Sequence, residues 1–579
     1  MDDRNIINHE SHFSQIPSAI DIQRSAFDRS SSHSTTMDIG RLIPIYIDEV
    51  LPGDTIDMTV SSIVRMATPI YPVIGSAFTD VRFFFVPNRI VWEHWNEFMG
   101  ENNSTYWTQP IEYEVPQLRL PEDGFKVGTI ADYFGIPINV GGSTVNALPF
   151  RALAKIYNDW YRDENLQQPI SINTGDSEEQ GVNADWDEHV TKGALGGYPY
   201  KVARLHDYFS SSLPSAQKGV AVALPIGGVA GTVPVFAMGS VNDNLPLGNR
   251  MYWTESNNSP VAGGTHIFGF HTLYDETDPN HPRNYSEVNY LNPTGATRTD
   301  ANFVPSNLKA DFNNLPVSNT ATINELRTSF AIQRAFETFA RGGTRYFELL
   351  KACFGVESPD ARLQRSEYLG GYRNQVQMEQ VSQTSSTNSI SPLGTLGAYS
   401  QTNNVDSVFT KSFVEHGFVI GVACTRVLHT YQQGLERFFS RRKKFDFYWP
   451  QLANVGEQYI KNKEIYLQSD SVLDPDGDIY NEQPFGYQEA WAEYRYKPSR
   501  VSGKFRSGID GGSLDSWHYA DYYDSAPLLS SDWIVEPSEN FKRTIAVQNE
   551  PDFLADFYFD AKYYRPMPLY SIPGNNPHF

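Results

Sequence analysis

Strand-forming segments crowd both ends of this chain and are sparse in its middle, and that distribution limits what it can fold into. Segments 42–50, 56–66 and 78–87 are rich in Ile, Val and Phe and are bounded by Pro44, Pro52-Gly53 and Pro69. That is the pattern of strands set between turns. It returns at 409–428, 459–467, 490–506 and 553–565. Between the two groups the signal is helical or absent. Ile90, Val91, Trp95 and Phe98, closed by Gly100, predict a short helix over 90–99. Ala152, Ile156 and Trp160 predict another over about 146–165. The clearest helix is expected at 323–341, where Thr322 and Glu325 match a capping box. Leu326, Phe330, Ala335, Phe336 and Phe339 give it an apolar face, and Gly342-Gly343 a left-handed stop. Strand-rich ends around a helical, loop-rich middle predict one β-sandwich whose halves are separated by insertions, although 579 residues could hold several domains.

Charge narrows the function. Lys and Arg total 46 against 68 Asp and Glu, a net charge of −22. Such a chain is a poor general binder of nucleic acid, so any such contact must use a local basic patch. Copies of it repel one another at low salt, and self-assembly would need extensive short-range contacts. Cys353 and Cys424 stand far apart and outside any CxxC, which excludes a disulfide framework and a Cys-based zinc site. Two buried free thiols are expected, as suits a reducing cytoplasm. The start, Met1-Asp2-Asp3-Arg4, lacks a basic region followed by an apolar core, so no secretory signal is expected.

Residues 1–40 are polar, with Ser and Thr clustered from Ser25 to Thr36. They read as a disordered tail or as an arm lying on a neighbouring surface. Residues 219–242 carry no charge. Pro225, Pro234, Gly227, Gly228, Gly231 and Gly239 argue against a membrane span, because helix breakers would free backbone groups in lipid. A buried loop, short strands or an exposed apolar contact surface remain open. The Asn-, Pro- and Thr-rich stretch 243–320 reads as a long ordered loop or a small subdomain.

No catalytic signature is found: the chain has no GxxxxGK[ST] loop, no HExxH and no GxSxG. No cofactor is expected. Asp474-Pro-Asp476-Gly-Asp478 looks like a calcium loop, but its sixth position is Ile479 and its twelfth Phe485, so it is read as a turn. Two basic segments stand out. In 436–444, Arg437, Arg441, Arg442, Lys443 and Lys444 precede Phe445, Phe447, Tyr448 and Trp449. In 485–506, Arg495, Lys497, Arg500, Lys504 and Arg506 interleave with Trp491, Tyr494, Tyr496 and Phe505. Basic residues among aromatics suit single-stranded nucleic acid, whose phosphates pair while its bases stack. The same pattern fits strands with charged outer faces, or ion pairs to acidic neighbours.

Several runs are familiar: Arg24-Ser-Ala-Phe-Asp-Arg29, Pro87-Asn-Arg-Ile-Val-Trp-Glu-His-Trp95, His206-Asp-Tyr-Phe-Ser210, Ala340-Arg-Gly-Gly-Thr-Arg-Tyr346, Phe445-Asp-Phe-Tyr-Trp-Pro450 and the long run Phe485 to Val501. In these the chain resembles the major capsid proteins of the Microviridae, small single-stranded DNA phages, in their gokushovirus branch. The resemblance spans nearly the whole chain and is weakest over 227–320.

It implies an eight-stranded antiparallel jelly roll with long, partly helical insertions. It further implies a sixty-copy T=1 shell, with fivefold, threefold and twofold contacts, around circular single-stranded DNA. The implied layout is an N-terminal arm at 1–40, core at 41–226, an outer insertion at 227–320 and core again at 321–579. The insertion would rise at the threefold axes toward a host surface receptor, with Gly227, Gly228, Val229, Val235 and Phe236 as candidate contacts. Arg437, Arg441, Arg442, Lys443, Lys444, Arg495 and Lys497 are the candidate DNA-facing residues. A small basic internal packaging protein is the expected partner, since an acidic coat cannot by itself neutralise a genome. The chain would be part of the virion, assembled in the bacterial cytoplasm. A secreted β-rich carbohydrate-active enzyme or a lectin-like binding module fits the bare pattern of strands as well.

Overall fold

The computed structural model describes residues 23–101, 111–220, 222, 323–385, 387, 392–509 and 513–570, with six short strands between 235 and 310. The main strands are β1 (Ser25–Asp28), β2 (Ser31–Met37), β3 (Ile43–Val50), β4 (Thr55–Met66), β5 (Ala77–Pro87), β6 (Glu367–Gln375), β7 (Thr402–Ser412), β8 (Gly417–Val427), β9 (Glu457–Lys461), β10 (Pro484–Glu489) and β11 (Phe553–Arg565). The chain divides into two units, Met1–Val220 with Arg334–Phe579, and Ala221–Gln333.

In the first unit, two antiparallel sheets enclose one apolar core. One runs β1-β11-β4-β7, with β2 also paired to β11; the other runs β6-β5-β8-β3. β1 and β2 lie end to end along β11, Phe27 opposite Tyr563 and His33 opposite Phe557. The alternation along β11 explains its place. Phe553, Ala555, Phe557, Phe559, Ala561 and Tyr563 point inward, while Leu554, Tyr558 and Tyr564 lie on an exposed face. Met58, Val60, Phe83, Phe85 and Val419 meet them in the core. Each such side chain contributes roughly 1.5–3 kcal/mol on burial.

β8 follows a different rule. Its run Gly-Phe-Val-Ile-Gly-Val-Ala-Cys is buried throughout, because its sheet is covered on both faces. Phe84, Val86, Phe418, Ile420 and Val422 pack outward against a second core. That core is built around helix α1 (Leu148–Ile156), with Trp92, Phe125 and Tyr200. Gly421 is required where β8 passes Phe83: a Cβ there would stand 2.7 Å from the Phe83 ring and 3.0 Å from Tyr46 Cβ.

Several expectations are corrected. Residues 25–37 are strands of the main sheet, held by the ladder along β11, not tail; residues 1–22 lie outside the described residues. The expected strand 409–428 is two strands in different sheets, parted by a turn at 413–416. The expected strand 459–467 stops at Lys461 and continues as a short helix, Asn462–Ile465. Residues 490–506 are not a strand but irregular chain with single turns at Ala492–Tyr494 and Gly503–Phe505. The helix over 90–99 is two short helices, Asn88–Val91 and Trp95–Phe98. The helix expected over 146–165 is α1 extended by a π-turn, Tyr157–Tyr161. Helix α2 (Ile323–Arg341) forms where expected, yet Leu326 and Phe330 on its apolar face are exposed and Ala340 is its buried residue. Cys424 is buried in β8, but Cys353 is exposed. Asp474 caps a tight turn, its carboxylate accepting from the N–H of Asp476 and Asp478.

In the second unit three antiparallel pairs are nested. Val235–Ala237 pairs with Leu308–Ala310, Trp253–Glu255 with Phe303–Pro305, and Gly269–Thr272 with Ser286–Asn289. Val235 and Phe236 therefore stand on the outermost pair, while Gly227, Gly228 and Val229 lie outside the described residues. The rest of the charge-free stretch is likewise outside them, apart from residues 219, 220, 222 and 237. Among the described residues no helix is long and apolar enough to cross a membrane.

Candidate nucleic-acid interface

Both basic segments lie over a third apolar cluster of Phe209, Tyr431, Ile460, Ile465, Phe485 and Trp533. Segment 430–449 leaves the end of β8 and is pinned by backbone bonds. Tyr431 N–H donates to Ser499 C=O at 2.9 Å, and Leu435 N–H to Lys463 C=O at 2.8 Å. The antiparallel pair β9–β10 lies against it, Tyr459 C=O accepting from Arg437.

The run that looks uniformly basic in sequence is sorted by the fold into two groups. Arg437 and Arg441 turn inward. Arg437 donates to Tyr459 C=O at 3.1 Å and lies 3.4 Å from Glu464. Glu464 also accepts from Tyr208 Oη at 2.8 Å, and burial pushes its carboxyl above the ordinary range. Arg441 donates to Glu493 at 3.0 Å and lies over the Tyr494 ring, 4.5 Å from its centroid. Both charges are neutralised within the chain.

Arg442, Lys443 and Lys444 are exposed, and no carboxylate oxygen among the described residues lies within 4 Å of their charged nitrogens. Asp446 serves the backbone instead: the N–H groups of Arg442 and Lys443 each donate to it at 2.7 Å. Those two bonds hold its carboxyl below the usual carboxylate range. Lys444 Nζ sits over the rings of Trp449, at 5.1 Å, and Phe445, at 5.5 Å. The aromatics around them face solvent: Phe439 is 63% exposed, Phe445 65% and Phe447 52%, with Tyr448, Tyr494 and Tyr496 near half. A cleft of about 450 Å³ opens beside them, lined by Phe438, Phe439, Tyr494 and Tyr496 among others.

The second segment is largely compensated. Arg495 pairs with Glu489, and Glu436 receives Arg500 at 2.8 Å and Lys497 at 3.9 Å. Arg437, Arg441 and Lys497 line that cleft, whereas Arg442, Lys443 and Lys444 lie outside its lining, and of the candidate residues these three carry free charge toward solvent. The partners Glu436, Glu464 and Glu493 carried no signal in the sequence, since each is one glutamate among many. Three free cations among exposed aromatic rings can pair with phosphates and stack bases.

The capsid protein (F protein) family matches residues 14–575. The chain belongs to that family. It is 41% identical over 586 residues to capsid protein VP1 of Chlamydia phage 1, covering 98% of each chain. It is 39% identical to capsid protein VP1 of Bdellovibrio phage phiMH2K, again over 98% of each. To capsid protein VP1 of Spiroplasma virus 4 it is 40% identical, over 93% of this chain and 92% of the other. These are gokushoviruses of the Microviridae, the branch the sequence resembles. The chain is therefore a structural protein of the virion that assembles into a multimeric shell, not an enzyme.

Proposed function

We propose that sixty copies of this chain close a T=1 icosahedral shell around circular single-stranded DNA, with the surface of Arg442, Lys443 and Lys444 facing the genome. The observation that carries the reading is local: in a chain of net charge −22, three unpaired cations sit among exposed aromatic rings. That combination suits single-stranded DNA. Arg437, Arg441, Arg495 and Lys497 contribute by holding the surface in shape through their carboxylate partners. The low count of free cations supports a small basic internal protein as a further partner.

The strand order supports an eight-stranded jelly roll. With β1 and β2 counted as one broken strand, each sheet has four positions, and the chain crosses between sheets at β3, β4, β5, β7, β8 and β11. Insertions of 88–366 and 428–552 then leave from two of its connections. The three nested pairs of the second unit support an out-and-back excursion from the shell. In this reading that excursion stands at a threefold axis, where Gly227, Gly228, Val229, Val235 and Phe236 bury apolar surface against two further copies. Its remaining exposed surface is the contact for a host receptor.

The test is charge reversal. Arg442→Glu with Lys443→Glu should lower the DNA content of purified particles. Reversing Lys461 and Lys463, which pair with Glu482, should not. Unchanged packaging in the first double variant would refute the assignment of this surface.

A further inference from the structure

Away from the aromatic surface, a cavity of about 730 Å³ opens beside the ends of β5 and β8 and one face of β6. It shares no lining residue with the cleft near Phe438. Six guanidinium groups line it: Arg82, Arg162, Arg204, Arg345, Arg373 and Arg426. For so acidic a chain this is a dense concentration of positive charge. Antiparallel register assembles part of it, placing Arg373 opposite Asp80, and Arg82 opposite Gly371 and Val422.

The carboxylates nearby do not balance these groups, although Asp521 meets Arg204 at 2.7 Å. Asp80, 1% exposed, is shared by three of them: Arg373 donates to it at 2.9 Å, Arg426 at 2.5 Å, and Arg82 stands 3.8 Å away. Asp163 accepts from the backbone N–H groups of Asn165 and Leu166. Glu164 and Glu348 both face Arg345, and burial together with the neighbouring Glu164 pushes the Glu348 carboxyl up. Arg162 has no carboxylate within 4 Å among the described residues; its Nη1 donates to Gln167 C=O.

The donors of the wall are also unmet. Tyr161 Oη, Arg162 Nε and Arg426 Nε are all buried and have no acceptor among the described residues. Tyr161 is only 6% exposed. Buried donors without acceptors are rare because each forfeits its hydration. Here three stand in the wall of one cavity that is also short of negative charge.

We propose that this cavity is an oxyanion site that takes a phosphate group, free or ester-linked, with Arg82, Arg162, Arg426 and Tyr161 as its donors. A phosphate offers several acceptor oxygens to guanidinium forks approaching from different directions, which a single carboxylate does not. The volume leaves room for a group attached to the phosphate, beside Phe78 and Trp160. The site is independent of the reading of the Arg442–Lys444 surface.

Three probes test it on the full-length chain at constant ionic strength: inorganic phosphate, thymidine monophosphate and a ten-residue oligothymidylate. Each is titrated by calorimetry and by the shift in melting temperature against chloride. At least one should bind and raise the melting temperature. Arg82→Gln and Tyr161→Phe should each weaken that binding about tenfold, the size expected of a hydrogen bond to a charged group. Tyr161→Phe should not lower the melting temperature without probe, because its hydroxyl has no partner among the described residues and loses its hydration on burial. Tighter binding of the mononucleotide than of the oligomer assigns a free ligand, and the reverse assigns strand phosphate. Either outcome supports the site. Absence of binding by all three probes, or an affinity unchanged in Tyr161→Phe, overturns it.

Discussion

Replacing His429 with glutamine tests the charge cluster that fastens the end of β8 to the C-terminal insertion. His429 is fully buried between two acids: Nδ1 lies 3.2 Å from both carboxylate oxygens of Asp521, and Nε2 lies 3.2 Å from Glu536. Arg204 completes the group, donating to Asp521 at 2.7 Å. The same residues tie three segments together. Glu536 accepts from Val427 N–H, its own N–H donates to Val202 C=O, and Asp521 N–H donates to Thr430 C=O. Burial alone would lower the His429 pKa, but the Glu536 and Asp521 charges outweigh it and hold it up at about 9. Burial pushes the Asp521 carboxyl up, yet Arg204 and His429 outweigh that and keep it well below the carboxylate range.

A pKa raised in the folded state stabilises the fold in full below the unfolded value, near 6.5, and the stabilisation disappears as pH rises through about 9. Between pH 7 and 9.5 the loss is about 2.5 kcal/mol by linkage. Urea unfolding of the purified chain, followed by tryptophan fluorescence at both pH values, measures it. His429→Gln should cost about 2–4 kcal/mol at pH 7, because Glu536 is left buried without its cationic partner. It should then lose less than about 1 kcal/mol on going to pH 9.5. An equal loss with pH in variant and parent would refute the argument, since the dependence would then belong to other groups.

Three further outcomes follow from the geometry. Arg441→Ala should destabilise the chain by about 1–3 kcal/mol by leaving Glu493 with Arg437 alone, 3.9 Å away, whereas Lys443→Ala, exposed and unpaired, should change stability by less than about 0.5 kcal/mol in the same unfolding assay. Gly421→Ala should cost about 1–3 kcal/mol, because its Cβ would meet the Phe83 ring; a neutral effect would show that β8 can shift. Phe236→Asp should leave the melting of the core unchanged but reduce particle yield or attachment to host cells, and normal particles with normal attachment would remove this residue from the threefold contact.

The sequence revealed most where one physical rule acted alone. β4 and β11 each bury one face, so alternation located them almost to the residue. The 409–428 stretch was apolar enough to read as one strand, but nothing in it marked Phe413–His416 as the point where the chain changes sheets. The 490–506 stretch imitated a strand because aromatic and basic residues alternate there. Pro498, the left-handed Trp491 and ion pairs from Arg495, Lys497 and Arg500 hold it in an irregular path instead. Charge density located the basic surface but could not divide it. Glu464 and Glu493, distant in sequence, neutralise Arg437 and Arg441 and leave the next three cations free. The arginine cavity was illegible, since Arg82, Arg373 and Arg426 are single residues on separate strands that only sheet register brings together.

A closed shell of sixty copies of this chain around single-stranded DNA is the proposed assembly. Electron cryomicroscopy of purified particles, with mass measured on the same sample, tests it most directly. Icosahedral particles are expected, with one chain per asymmetric unit and a protein mass of about 3.9 MDa, sixty times the 65.4 kDa chain. Inside them, density for nucleic acid should lie against the Arg442–Lys444 surface. Particles of another copy number, or nucleic acid density that avoids this surface while it faces outward, would contradict it.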